Sequence, residues 1–214
     1  MTIKTFHFNP LQVNTFVLHD ETRQAVVIDP GNYFGREHEQ LREYIEKEQL
    51  SVQYIVNTHT HVDHVCGNQW CVEQFACPVY MHEKALRIYQ LTPAYASVMG
   101  MEVASCSEPS KWIEDGEILV FGQQHLQVLY TPGHADGSVC LYGAEQKIVF
   151  VGDVLFAGSV GRTDLPTGSF PLLMQSIREK LMTLPEETTV FCGHGINTTI
   201  GYEKSHNQFI QNNL

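Results

Sequence analysis

The chain has 214 residues, 43% of them hydrophobic, which suits one globular domain with a sizeable core, expected over residues 1–214. Its 13 Lys and Arg against 24 Asp and Glu give a formal net charge of −11, which argues against a general grip on nucleic acid, because phosphate binding relies on clustered cations. No run approaches the ~18 apolar residues of a membrane span, "MTIKTFHFNP" carries no signal-peptide pattern, and the cysteines (Cys66, Cys71, Cys77, Cys106, Cys140, Cys192) form no C-x-x-C pair, so a cytoplasmic protein with reduced thiols is expected.

From the N-terminus, "IKTFHF", "NTFVLH" and "AVVIDP" predict strands, and "EHEQLREYIEKEQ" predicts the first helix. "VQYIVNT" predicts a strand leading into "NTHTHVDHVCGN", with a helix over "HVCGNQWCVEQFA". The strand "PVYMH", the helix "EKALRIYQ" and the strands "EILVF", "HLQVLYT", "SVCLYG" and "KIVFVGD" follow. In "FPLLMQSIREKLMTL", Leu172, Leu173, Ile177 and Leu181 recur at helical spacing, Ser169 is placed to cap, and Pro171 sits in the first turn, where its missing N–H costs little. The strand "TTVFCG" and a final turn or two in "GYEKSHNQFI" complete the chain. No segment repeats with a 20–50-residue period, and strands outnumber helices, so a layered α/β architecture with sheets face to face and helices outside is expected.

The chemistry concentrates where strands end. His59, His61, Asp63 and His64 fall within six positions after "VQYIVNT", His134 follows "HLQVLYTPG", Asp153 follows "KIVFVG", and His194 follows "TTVFCG". Buried strands fix position while the loops beyond them carry polar groups, so these segments are expected to converge. His59 and His61 alternate as in extended chain, which distinguishes them from a helical zinc pair four residues apart. Seven nitrogen and oxygen donors exceed what one tetrahedral zinc needs, whereas two cations sharing a carboxylate would use them all. The expected assignment is His59, His61 and His134 on the first cation, Asp63, His64 and His194 on the second, and Asp153 as the bridge.

Gly133, Gly152 and Gly193 each precede a proposed ligand and are expected to let the backbone turn sharply. Alone, His134 or His194 would read as a hydrogen-bonded loop histidine, and Asp153 as a turn cap; the H-x-H-x-D-H cluster changes that weighting. His7, His19, His38, His82, His125 and His206 lack such companions and read as surface or core residues. Cys66, beside Gly67 at a helix start, reads as a small packing residue rather than a nucleophile.

The set "THTHVDH" (58–64), "TPGH" (131–134), "GD" (152–153), "GRTD" (161–164) and "GHG" (193–195) resembles the metallo-β-lactamase superfamily, and within it the hydroxyacylglutathione hydrolases, or glyoxalase II. The resemblance implies an αβ/βα four-layer sandwich, the same seven ligands, and two divalent cations, zinc first, with iron or manganese possible on all-N/O ligation. It implies hydrolysis of a small acyl thioester, with Asp63 and Asp153 as the catalytic carboxylates and no side-chain nucleophile. Longer glyoxalase II enzymes draw glutathione contacts from a C-terminal helical domain, and only 20 residues follow His194, so a short form is expected, acting on hydroxyacylglutathione or a related thioester. In "GSVGRTDLPTGS", Arg162 is expected either to receive a substrate carboxylate or to pair with Asp164 and brace the loop. Persulfide dioxygenases of the superfamily share the histidine cluster and the "GRTD" loop, using one iron on two His and one Asp. They are the rival reading, and a non-catalytic metal-binding module is the second.

Overall fold

The computed structural model describes residues 1–103 and 106–213. Strands β1 (Thr2–Phe8), β2 (Val13–His19) and β3 (Gln24–Ile28) pair antiparallel, and β4 (Ser51–Val56), β5 (Val79–Met81) and β6 (Lys111–Trp112) continue that sheet in parallel from β3. A second sheet begins with the antiparallel run β7 (Ile118–Phe121), β8 (Gln124–Tyr130), β9 (Val139–Gly143) and β10 (Ile148–Gly152). The small hairpin β11 (Leu155–Phe156) and β12 (Ser159–Val160) stands apart, while β13 (Thr189–Cys192) joins β10 in parallel and β14 (Thr198–Thr199) closes that edge.

Period-two alternation explains the layering, because successive side chains of a strand point to opposite faces. Phe16 and Leu18 of β2, Val26 and Ile28 of β3, and Ile148 and Phe150 of β10 meet in one core between the sheets. The intervening Val17 and Val27 face outward onto Leu41 and Ile45 of helix α1 (Gly35–Lys47), and Val149 and Val151 face Leu173, Ile177 and Leu181 on the other side. Strands covered on both faces read as continuous apolar runs, as "IVFVG" does, and each buried aliphatic side chain contributes roughly 1.5–3 kcal/mol on leaving water. The four layers are the αβ/βα sandwich expected from the sequence.

The helices differ from expectation in detail. The helix expected over 64–76 is two, α2 (Val62–Val65) and α3 (Asn68–Phe75), because Gly67 turns to donate its N–H to the Pro30 carbonyl at 2.9 Å, pressed so close to Asn32 that a Cβ would collide with it. "EKALRIYQ" opens as one 3₁₀ turn (Glu83–Ala85) before α4 (Leu86–Gln90), and α5 (Thr92–Val98), unexpected from sequence, follows with Pro93 in its first turn. In the helix expected over 170–184, α6 (Phe170–Ser176) passes into a π-helical turn (Ile177–Leu181). Ser169 occupies the N-cap position but makes no side-chain cap; its N–H donates to the Gly133 carbonyl at 2.8 Å. Leu172 is exposed, so only Leu173, Ile177 and Leu181 of the expected stripe are buried. The C-terminal turns are α7 (Ile200–His206) and α8 (Gln208–Gln211). No helix among the described residues is long and apolar enough to cross a membrane.

Candidate metal centre

Strand direction brings the candidate residues together. β3 and β4 are parallel, β10 and β13 are parallel, and β8 runs with β10 because each is antiparallel to β9. The carboxyl ends of these five strands therefore lead to Asp29, the 59–64 cluster, His134, Asp153 and His194. The two sheets are tied at that edge, where Val139 N–H donates to the Thr58 carbonyl at 2.8 Å and Asn14 N–H to the Gly193 carbonyl at 2.7 Å.

Two triads result. The ligand-capable atoms of His59, His61 and His134 lie within 4.8 Å of one another, as do those of Asp63, His64 and His194. His61 Nδ1 and His134 Nε2 face each other at 2.9 Å, and His194 Nε2 lies 3.0 Å from Asp63 Oδ2. Asp153 sits between: its Oδ1 is 3.3 Å from His64 Nε2, and its Oδ2 is 3.7 Å from both His134 Nε2 and His194 Nε2. His7, His19, His38, His82, His125 and His206 take no part in these groups.

The histidines are oriented from behind. His134 Nδ1 is 2.8 Å from the Arg162 carbonyl oxygen, which can only accept, so the proton sits on Nδ1 and the Nε2 lone pair faces the centre. His64 Nδ1 is held likewise by Asp29 Oδ2 at 2.9 Å. Asp29 was not singled out from the sequence, although "AVVIDP" ends in a carboxylate by the same rule that picked out Asp153. It belongs to a third group with His59 and His64, yet its oxygens are taken: Oδ1 accepts Thr58 N–H at 2.7 Å, and Oδ2 accepts the Thr58 hydroxyl at 2.5 Å as well as the His64 ring. Asp29 orients rather than ligates. Removing such a partner loosens a ligand, so Asp29→Ala is expected to weaken metal retention by about 10–100-fold. Competition against a chromogenic chelator measures this; unchanged affinity would place His64 under other control.

The electrostatics separate the two halves. Burial holds His59 well below the usual histidine pKa, pushes His61 down to about 4 with the neighbouring His134 adding to it, and lowers His134. This triad is neutral at physiological pH, with lone pairs to offer. Burial also disfavours charge on His64, but the carboxylates Asp153, Asp63 and Asp29 outweigh it and raise its pKa well above normal. Asp153 and Asp63 stay below the ordinary carboxylate range despite burial, chiefly because of His64. Among the described residues no Lys or Arg pairs with these carboxylates. His59 Nε2, His64 Nε2 and Asp153 Oδ1 are buried without a hydrogen-bond partner, a cost that cation coordination removes. The donor set fits divalent cations.

Close packing limits what surrounds the centre. Gly133 and Gly152 have φ of 131° and 49°, as a sharp turn requires, but Gly193 does not; there a Cβ would run into Asp153 Oδ1 and the His64 ring, so the glycine is needed for space. Cys66 packs beside Val62 and Ala96 with burial pushing its thiol pKa up, which agrees with a packing role. A pocket of about 370 Å³ opens onto His61, Asp63, His134 and Asp153. Arg162 borders it, with its guanidinium gripping Asp164 through Nε–Oδ1 at 2.7 Å and Nη2–Oδ2 at 2.8 Å, the bracing geometry of the two expected.

Residues 8–194 match the family described as Metallo-beta-lactamase superfamily. Hydroxyacylglutathione hydrolase GloC of Haemophilus influenzae is 34% identical, covering 98% of this chain and 98% of its own. The crystal structure of BLEG-1 B3 metallo-beta-lactamase superposes with a TM-score of 0.87 at 36% identity, covering 98% of this chain and 99% of that one. A di-iron-bound form of TTHA1623 also reaches 0.87 at 36% identity, covering 96% and 99%.

Proposed function

Because the chain belongs to the metallo-beta-lactamase superfamily, we propose that it is a dinuclear metal-dependent hydrolase of small acyl thioesters, glyoxalase II-like, acting as a single domain over residues 1–214. The observation that carries this reading is Asp153, whose two oxygens lie 3.3–3.7 Å from ring nitrogens of both triads, the placement a bridging carboxylate requires. We assign His59, His61 and His134 to one cation, Asp63, His64 and His194 to the other, and Asp153 to both. Zinc is the first choice and iron or manganese the alternatives, with the di-iron relative as support for iron. All six cysteines are free thiols, which suits the reducing cytoplasm.

A cation pair there would lower the pKa of a shared water toward neutrality and polarise the substrate carbonyl. The chain's part is to aim and to move protons. Asp29 and the Arg162 carbonyl fix His64 and His134, so the ligand set is preorganised. Asp63, lining the pocket with its carboxylate ionised, is placed to take the proton of the attacking water and pass it to the departing sulfur. Water adds to the acyl carbon, the C–S bond breaks with its electrons on sulfur, and a carboxylate and a thiol leave.

Zinc-loaded protein should cleave S-lactoylglutathione or a smaller thioester equally in air and under anaerobic conditions. Oxygen uptake on glutathione persulfide by iron-loaded protein, with no thioester cleavage by either form, would overturn the hydrolase in favour of the dioxygenase. The likeness to BLEG-1 makes a β-lactam the second substrate to test, with a chromogenic cephalosporin. Arg162→Ala separates two roles. If the side chain serves substrate, KM rises about threefold to tenfold with kcat little changed. If it only braces the loop through Asp164, the solvent-screened pair contributes little and a small drop in Tm is the sole effect.

A further inference from the structure

The apolar lining of the pocket comes from three separate parts of the chain. Ile88 of α4 with Tyr95, Val98 and Met99 at α5 supplies most of it, and Leu11 and Leu165 add to it. Helix α5 is held in place by its inner face, where the fully buried Ala96 packs against Val62 of α2, the helix that carries Asp63 and His64. Val98 and Met99 nevertheless stand 86% and 49% exposed, and Leu11 of the same pocket is 43% exposed. Single exposed apolar side chains are ordinary, but three around one opening, continuous with the buried Ile88, make a patch that an apolar ligand would cover.

The charges favour an apolar occupant on this wall. Among the described residues no Lys lines this pocket, and Arg162 at its border is engaged by Asp164. A peptidic thiol such as glutathione brings two carboxylates and an ammonium group, which find no polar partner along Ile88 and its apolar neighbours.

We infer that this wall receives an uncharged apolar arm of the thioester, lying along Ile88, Tyr95, Val98 and Met99 while the reacting carbonyl sits at the histidine end. This rests on the hydrolase reading and names its substrate class. The arm is either the acyl chain or the thiol's alkyl chain, and two substrate series tell them apart.

In one series, acyl groups from acetyl to hexanoyl are carried on N-acetylcysteamine; in the other, acetyl is carried on thiols from ethanethiol to hexanethiol. One of the two should show kcat/KM rising roughly twofold to threefold per methylene, as expected for a chain buried against a wall that stays partly open to water. In Val98→Ser/Met99→Ser, whose altered side chains are exposed and whose Tm is measured alongside, that slope should flatten. Titration of 2-alkanones of increasing length into the protein as purified supplies a readout independent of turnover, with affinity rising in step. Flat slopes in both series with thioesters still hydrolysed would overturn the apolar arm and leave the hydrolase standing. A slope undiminished in the double variant, or flat ketone affinities, would overturn it equally. Ketone affinities that rise with length in a protein that cleaves no thioester would instead support the apolar wall and overturn the hydrolase reading.

Discussion

Replacing Asp153 by Ala is expected to lower kcat on the order of 10³-fold or more while the fold survives. The carboxylate lies within 4 Å of ring nitrogens from both triads, so its loss separates two halves that must act on one carbonyl. Its oxygens face His64, His134 and His194 rather than the apolar cores, so no hydrophobic cavity opens and the sheets keep their packing. Folding is checked by circular dichroism and thermal melting, and kcat is measured after reconstitution with zinc. Near-normal turnover by a metal-loaded variant would show that the bridge is elsewhere.

Stripping the protein with a chelator is expected to abolish turnover and to lower Tm. Asp29, Asp63 and Asp153 crowd one buried edge with histidines as their only cationic partners among the described residues, and two ligand-capable ring nitrogens there lack hydrogen bonds. Cations bound at 100–1,000 times their dissociation constant would add about 2.7–4.1 kcal/mol to the folded state. For a chain of this length each kcal/mol moves the midpoint by about 2–4 °C, so a fall of roughly 5–16 °C is expected, reversed by adding zinc. An unchanged midpoint and unchanged activity after verified metal removal would refute the cation's role in both folding and catalysis.

The longer strands were legible because each signals itself locally, through apolar runs bounded by Gly, Pro, Asn or Asp, and the proposed ligands were legible because they end those runs; the two-residue strands β6, β11, β12 and β14 are too short to carry such a run and were not expected. The same rule reached as far as Asp29, but without a neighbouring histidine in the sequence that carboxylate drew no notice; its partner His64 is 35 residues away. Helix α5 escaped because it is only seven residues long and its buried positions are the small Thr92 and Ala96, while Tyr95 and Val98 turn to the pocket. The break between α2 and α3 is a tertiary event, set by the chain at Pro30 and Asn32 pressing on Gly67. Gly193 shows the same limit: its need for space comes from Asp153 and His64, which no local pattern reveals. The substrate wall was hidden for a like reason, being assembled from positions 11, 88, 95–99 and 165.

Whether one centre holds two cations is decided by elemental analysis of protein expressed in metal-replete medium and freed of loosely bound ions. Two equivalents per chain are expected. A firm stoichiometry of one, unchanged on adding zinc, iron or manganese, would contradict the dinuclear centre.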